Sequence, residues 1–249
     1  MNTPSRTLAC FFLLVATLAQ LHASDRPRVI HDLAHGQNPL PDRIRTLNEK
    51  LDAKFTDSNQ PITSATLAGA QLLYLRAPSK EFTDPERTSI IQFVRAGGSL
   101  LVVLDEEARQ PLATTRLNEI IAEFGLKLTP DLPYLHNCGA IAQPGAINAA
   151  RRELPYSGGR AVEGGTPFAY VLDQQGNPAE AFAASATVAG GGRVVVMGEG
   201  MASLAMGTTE GVRLSGVPRD ASRTTYWGKD SALFLEELFS WLLHQPKVG

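Results

Sequence analysis

The sequence predicts an α/β fold: an open, doubly wound, mostly parallel sheet with helices on both faces. Three observations carry it. The runs Leu72–Leu75, Ser99–Leu104 and Arg193–Met197 are apolar without polar alternation, as in strands covered on both faces. Segments of helical period separate most of the runs, and strands joined through helices pair in parallel by right-handed crossovers. The chain has 249 residues, 43% of them hydrophobic, enough to build one packed core.

Each element has its own signal. Arg28 to Leu33 reads as a buried opening strand that ends in the turn Ala34-His35-Gly36-Gln37-Asn38-Pro39. Leu40, Ile44, Leu47 and Leu51 then recur at helical spacing. Phe55 to Gln60 is short and polar, an edge strand. Thr83-Asp84-Pro85-Glu86 starts a helix, with a capping residue just before proline in the first turn. Ile90, Ile91, Phe93 and Val94 are its buried face, and Gly97-Gly98 stops it. Asp105-Glu106-Glu107 follows the clearest strand, and a helix is expected from Thr114 to Phe124. Residues 126–165, rich in Pro and Gly, read as irregular. Phe168–Leu172 and Phe182–Val188 are expected to pair about Gln174-Gln175-Gly176-Asn177. Met201–Met206 reads as a short helix, 207–229 as a loop and Asp230–His244 as the last helix.

Composition removes several function classes. With 23 basic and 25 acidic residues, and a formal net charge of -2, no electrostatic footprint for nucleic acid exists. The one long apolar run lies at the N-terminus, after Arg6, and is shorter than a bilayer span. Residues 1–24 therefore read as a secretory signal peptide, and 25–249 as one exported domain, periplasmic or extracellular. Signal removal takes Cys10 and leaves Cys138 alone, so no intramolecular disulfide forms.

In wound sheets ligands bind in the crevice at the C-terminal ends of the strands. That rule selects Asp32, His35, Asp105, Glu106 and Glu199 as acceptors for hydroxyls or amines. Strand alternation puts His31 and Asp32 on opposite faces. His31, Asp32, His35 and His136 lack the strong zinc spacings, so no metal and no cofactor are expected. Gly190-Gly191-Gly192 precedes its strand, whereas a phosphate cradle follows one; it is a turn. Cys138 sits in His136-Asn137-Cys138-Gly139, and partners so close in sequence rarely converge on a thiol, so it reads as structural. Tyr226 and Trp227 could stack on a sugar or peptide, but aromatics before a last helix more often form a lid over the core.

The order of five motifs carries a family resemblance. They are Asp32-x-x-His35-Gly36; Phe93-Val94-x-x-Gly97-Gly98 with the strand to Val103; Asn118 with Phe124-Gly125; Gly192 to Glu199; and the terminal Phe239-Ser240-Trp241-Leu242. Together they resemble the class I glutamine amidotransferase-like domain of secreted bacterial proteins, the kind shared by gliding-motility auxiliary proteins and an intraflagellar-transport subunit. The resemblance implies a flavodoxin-like sheet. It does not imply amidotransferase chemistry, which needs a cysteine on a tight strand-to-helix turn. The corresponding turn here reads Asp105-Glu106-Glu107, and a carboxylate cannot form the thioester.

The expectation is an exported, non-catalytic accessory domain that holds a small polar ligand, carbohydrate included, or an envelope protein. The alternative is a carboxylate/histidine hydrolase, with or without a metal. Convergence of Asp32, His35, Asp105 and Glu199 favours the enzyme; dispersal among loop caps favours the accessory domain.

Overall fold

The apolar runs assemble into one nine-stranded sheet. The computed structural model describes residues 26–40, 42–132, 139–154, 156, 159–173, 175–199 and 230–246. Its strands are β1 (Arg28–Asp32), β2 (Lys54–Ser58), β3 (Leu72–Arg76), β4 (Ser99–Val103), β5 (Leu126–Asp131), β6 (Ala140–Ala142), β7 (Arg152–Leu154), β8 (Arg160–Gly164), β9 (Thr166–Leu172), β10 (Pro178–Thr187) and β11 (Arg193–Met197). The sheet order is β2-β1-β3-β4-β11-β10-β9-β6-β7, and β5 pairs with β8 separately.

The first five of these strands are parallel. Numbered among themselves they run 2-1-3-4-5, the flavodoxin winding, and the order reverses between β1 and β3. The other half corrects the expectation of a mostly parallel sheet: β10, β9, β6 and β7 join by antiparallel pairing. The cause is local. Short turns link β9, β10 and β11, and antiparallel neighbours need no crossover helix. Val188 N–H donates to Gly192 O across one turn (2.8 Å). In the other, Asp173 Oδ1 accepts the N–H groups of Gln175 and Asn177, each at 2.8 Å.

Residues 126–165 are also corrected, from irregular to four strands, β5 to β8. β6 and β7 have three residues each, too few to show a period. The helices are α1 (Asp42–Arg45), α2 (Leu47–Lys50), α3 (Ser64–Leu67), α4 (Asp84–Arg95), α5 (Leu112–Thr115), α6 (Leu117–Ile121, extended by a 3-10 turn to Phe124) and α7 (Ser231–Leu242). The single helix expected over 114–124 is broken at Arg116, whose φ of 55° is left-handed. Its guanidinium bridges Glu119 and Glu81 there.

Alternation along the parallel strands divides the core into two layers. Val29, Tyr74, Leu101, Val103, Val195 and Met197 pack with Phe234, Leu235, Leu238, Phe239 and Leu242 of α7. Ile30, Leu73, Leu75, Leu100, Val102, Val194 and Val196 pack with Ile90 and Val94 of α4 and with Leu117, Ile120 and Ile121 of α6. Among the described residues no helix is long and apolar enough to cross a membrane.

Candidate functional site

The strand directions define one rim. β7 and β9 run the same way as β11, so their C-terminal ends share a rim with those of β1 to β4. The sequence-selected residues fall on this rim in two groups.

The first group closes the end of β1. Asp32 Oδ1 accepts the Ala34 N–H (3.0 Å), while Oδ2 meets His35 Nδ1 at 2.8 Å. The other ring nitrogen, Nε2, lies 3.4 Å from Glu86 Oε2, and the ring stacks on Phe82 with centroids 3.9 Å apart. Glu86 is the third residue of α4 and closes a capping box with Thr83. Its other oxygen accepts the Ile62 N–H (3.1 Å). Burial works against the His35 imidazolium, but the Asp32 hydrogen bond and the Asp32 and Glu86 charges outweigh it, so its pKa is raised. Burial likewise opposes the Glu86 carboxylate, yet the Thr83 and Ile62 donors and His35 hold its pKa low. Through these two contacts the imidazole ties the β1 loop to the start of α4, and its protonated form would donate from both nitrogens.

The second group lies beyond β4 and β11. Asp105 Oδ1 accepts the N–H of Glu106 (2.9 Å), and Arg109 pairs with Asp105 Oδ2 (2.9 Å) and Glu106 Oε1 (3.0 Å). No helix starts there; a loop runs from β4 to α5 at Leu112. Arg160, completely buried, anchors that loop. It donates to the carbonyls of Asp105 (2.7 Å), Gln110 (2.8 Å) and Thr129 (3.3 Å), and to Glu107 Oε2 (2.8 Å). Its own N–H donates to Gly198 O at 2.6 Å. Gly198 must be glycine: a Cβ there would stand 2.1 Å from Arg160 O. That contact places Glu199, which is fully buried. The Glu199 charge reaches Arg109, Tyr74 and Tyr156.

The five residues thus divide. Asp32 bonds to His35, and His35 in turn to Glu86, on the α4 side; Asp105 and Glu106 pair with Arg109, which also feels the Glu199 charge. His31 faces the opposite layer from Asp32, as alternation predicts. Its ring tilts on Tyr74, and its Nδ1 lies 3.0 Å from Asp57 Oδ1. Among the described residues no group of three or more His, Cys, Asp or Glu is placed to hold a metal. Cys138, His136, Tyr226 and Trp227, the helix expected at 201–206 and the leader 1–24 lie outside the described residues.

Sequence reasoning missed Arg109, Arg160 and the ligating role of Glu86. The Thr83-x-x-Glu86 spacing is a capping-box signal that was available for Glu86. Nothing around Arg160 in the sequence marks a buried anchor.

The model of the IFT52 GIFT domain matches residues 32–136, from the end of β1 to just beyond β5. The solved mmIFT52 N-terminal domain superposes with a TM-score of 0.61 at 18% identity, over 89% of this chain and 99% of that one. The chain has the IFT52 N-terminal fold. A GMP synthase-like protein from Thermoplasma acidophilum superposes over 88% of this chain and 93% of its own, with a TM-score of 0.49 at 9% identity. No curated protein matches the chain. The family-model match covers Asp32, His35, Glu86, Asp105 and Glu106 but not Glu199.

Proposed function

We propose that this protein is a non-catalytic binding domain that presents its acidic rim to a partner protein. The observation that carries the reading is the loop after β4. Where an amidotransferase has a cysteine on a strand-to-helix turn, this chain has Asp105-Glu106-Glu107 in a helix-free loop pinned by Arg160. Its carboxylates are engaged in capping and ion pairs, and Asp32 and His35 stand with Glu86 rather than with Asp105. That dispersal supports binding over hydrolysis. The match to the IFT52 GIFT domain supports a protein partner over a free sugar. The apolar run after Arg6 supports export, which puts the partner in the envelope or outside the cell.

Site-specific photo-crosslinking tests this reading. A benzophenone side chain at exposed Ala108, in the acidic loop, is expected to give discrete protein adducts in cells producing the full chain. The same probe at exposed Ala189, in the turn at the opposite end of the sheet, is expected to give none of them. Identical adduct patterns, or no adduct from position 108, would refute the reading.

A further inference from the structure

A neutral imidazole carries one N–H and one lone pair. His35 meets a carboxylate oxygen at each ring nitrogen: Asp32 Oδ2 lies 2.8 Å from Nδ1, and Glu86 Oε2 lies 3.4 Å from Nε2. All three side chains are buried. Both oxygens of Glu86 are already acceptors. Oε2 takes the Thr83 N–H (3.0 Å) and hydroxyl (2.7 Å), and Oε1 takes the Ile62 N–H (3.1 Å). Asp32 Oδ1 takes the Ala34 N–H. A ring with a single proton would therefore turn a buried lone pair toward a carboxylate, and such a contact is costly away from water. The arrangement calls for a second proton, and the imidazole is the group placed to hold it. The remaining charges around the ring have other partners. Arg87 pairs with Asp84 and Glu119, Glu81 pairs with Arg116, and Asp57 lies in the opposite layer against His31. Lys80 meets His35 through its backbone, with its N–H 3.2 Å from His35 O.

We infer that the Asp32–His35–Glu86 chain is a proton-operated latch: a second proton on the His35 ring closes the loop after β1 onto the start of α4, and loss of that proton releases the loop. The latch gathers three connections of the rim. His35 comes from the loop after β1, Ile62 from the one after β2, and Thr83 and Glu86 from the end of the one after β3. Phe82 backs the closed ring, with centroids 3.9 Å apart. Gly36 lets the closed loop lie close to its neighbour, since a Cβ there would stand 2.3 Å from Ser79 Oγ. Release is local. His35 O still accepts the Ser79 and Lys80 N–H groups, neither of which titrates with the ring. Burial alone would lower the His35 pKa, but the Asp32 hydrogen bond and the Asp32 and Glu86 charges raise it overall. A raised folded pKa gives stability that is complete below the unfolded value, about 6.5, and is lost as pH rises through the folded one. The latch is therefore closed in acid and opens toward alkaline pH.

The latch does not depend on the partner-binding reading, and its failure would leave that reading intact. The test is an NMR titration of the full chain between about pH 5 and pH 9, with the His35 ring signals assigned by their loss in His35→Gln. The His35 midpoint is expected above about 6.5. Hydrogen-exchange protection of the Ala34 N–H, which the closed loop holds on Asp32, is expected to fall about fivefold or more across that same midpoint. Protection of the Leu101 N–H, in the central strand β4, should not change there. Glu86→Gln removes the charge at Nε2 and is expected to lower the His35 midpoint. In His35→Gln, Ala34 protection should no longer follow pH. The wild-type titration decides the matter even if a variant fails to fold. A His35 midpoint at or below about 6.5, Ala34 protection that ignores the midpoint, or the same fall in folded His35→Gln would overturn the latch.

Discussion

Arg160→Met is expected to destabilise the protein by about 3–5 kcal/mol, read as a lower urea midpoint at unchanged slope. The side chain is completely buried and serves the carbonyls of Asp105, Gln110 and Thr129 together. Methionine keeps much of the volume but leaves these carbonyls without their donor, and each orphaned buried group costs about 1–3 kcal/mol. Water entering the opened loop offsets part of that sum. The ion pair contributes little, because the Glu107 side chain is 49% exposed and screened. Glu107→Gln is therefore expected to cost less than about 1 kcal/mol. Near-equal costs for the two variants would show that the salt bridge, not the carbonyl clamp, holds the loop.

Glu237→Ala is expected to cost about 3 kcal/mol, the lower end for breaking a buried pair, because Arg152 retains some contact with water. Glu237 sits on α7 with its side chain 2% exposed and meets Arg152 in two hydrogen bonds, 2.6 and 3.0 Å. It also accepts from Asn148 Nδ2 (3.1 Å) and the Ala149 N–H (3.0 Å). One carboxylate thereby fixes the last helix to the β6–β7 connection and the sheet edge. Burial raises the Glu237 pKa, but Arg152, Ala149 and Asn148 outweigh it and the net shift is downward. A depressed folded pKa gives stability that is present above the unfolded value, about 4.3, and lost as pH falls through the folded one. The gap between wild type and Glu237→Ala should hold from about pH 7 to about pH 5 and narrow below about pH 4. A gap that stays constant into acid would contradict the assignment.

The parallel half of the fold was legible because β3, β4 and β11 are largely apolar five-residue runs and α4 carries both a cap and a stop. Thr83 with Pro85 and Glu86, and Gly97-Gly98, mark α4 as firmly in the sequence as in space. The antiparallel half was only partly legible. The β9–β10 hairpin showed through its Asp173–Asn177 turn, but β6 and β7 are too short to carry a period. The rim followed from the general rule for wound sheets, and alternation alone separated His31 from Asp32. The partners did not follow. Glu86 reaches His35 across 51 residues, and Arg160 reaches the Asp105 carbonyl across 55, contacts that only the packed fold creates.

The proposed binding role stands on a substitution that the sequence resemblance implies: a clamped acidic loop in the place where amidotransferases carry a sulfur nucleophile. Incubation of the full chain with glutamine, read as ammonia release and as covalent labelling by 6-diazo-5-oxonorleucine, tests it most directly. The account predicts release no faster than the buffer blank and no adduct. Steady ammonia release together with an adduct, both abolished by Cys138→Ser, would contradict it.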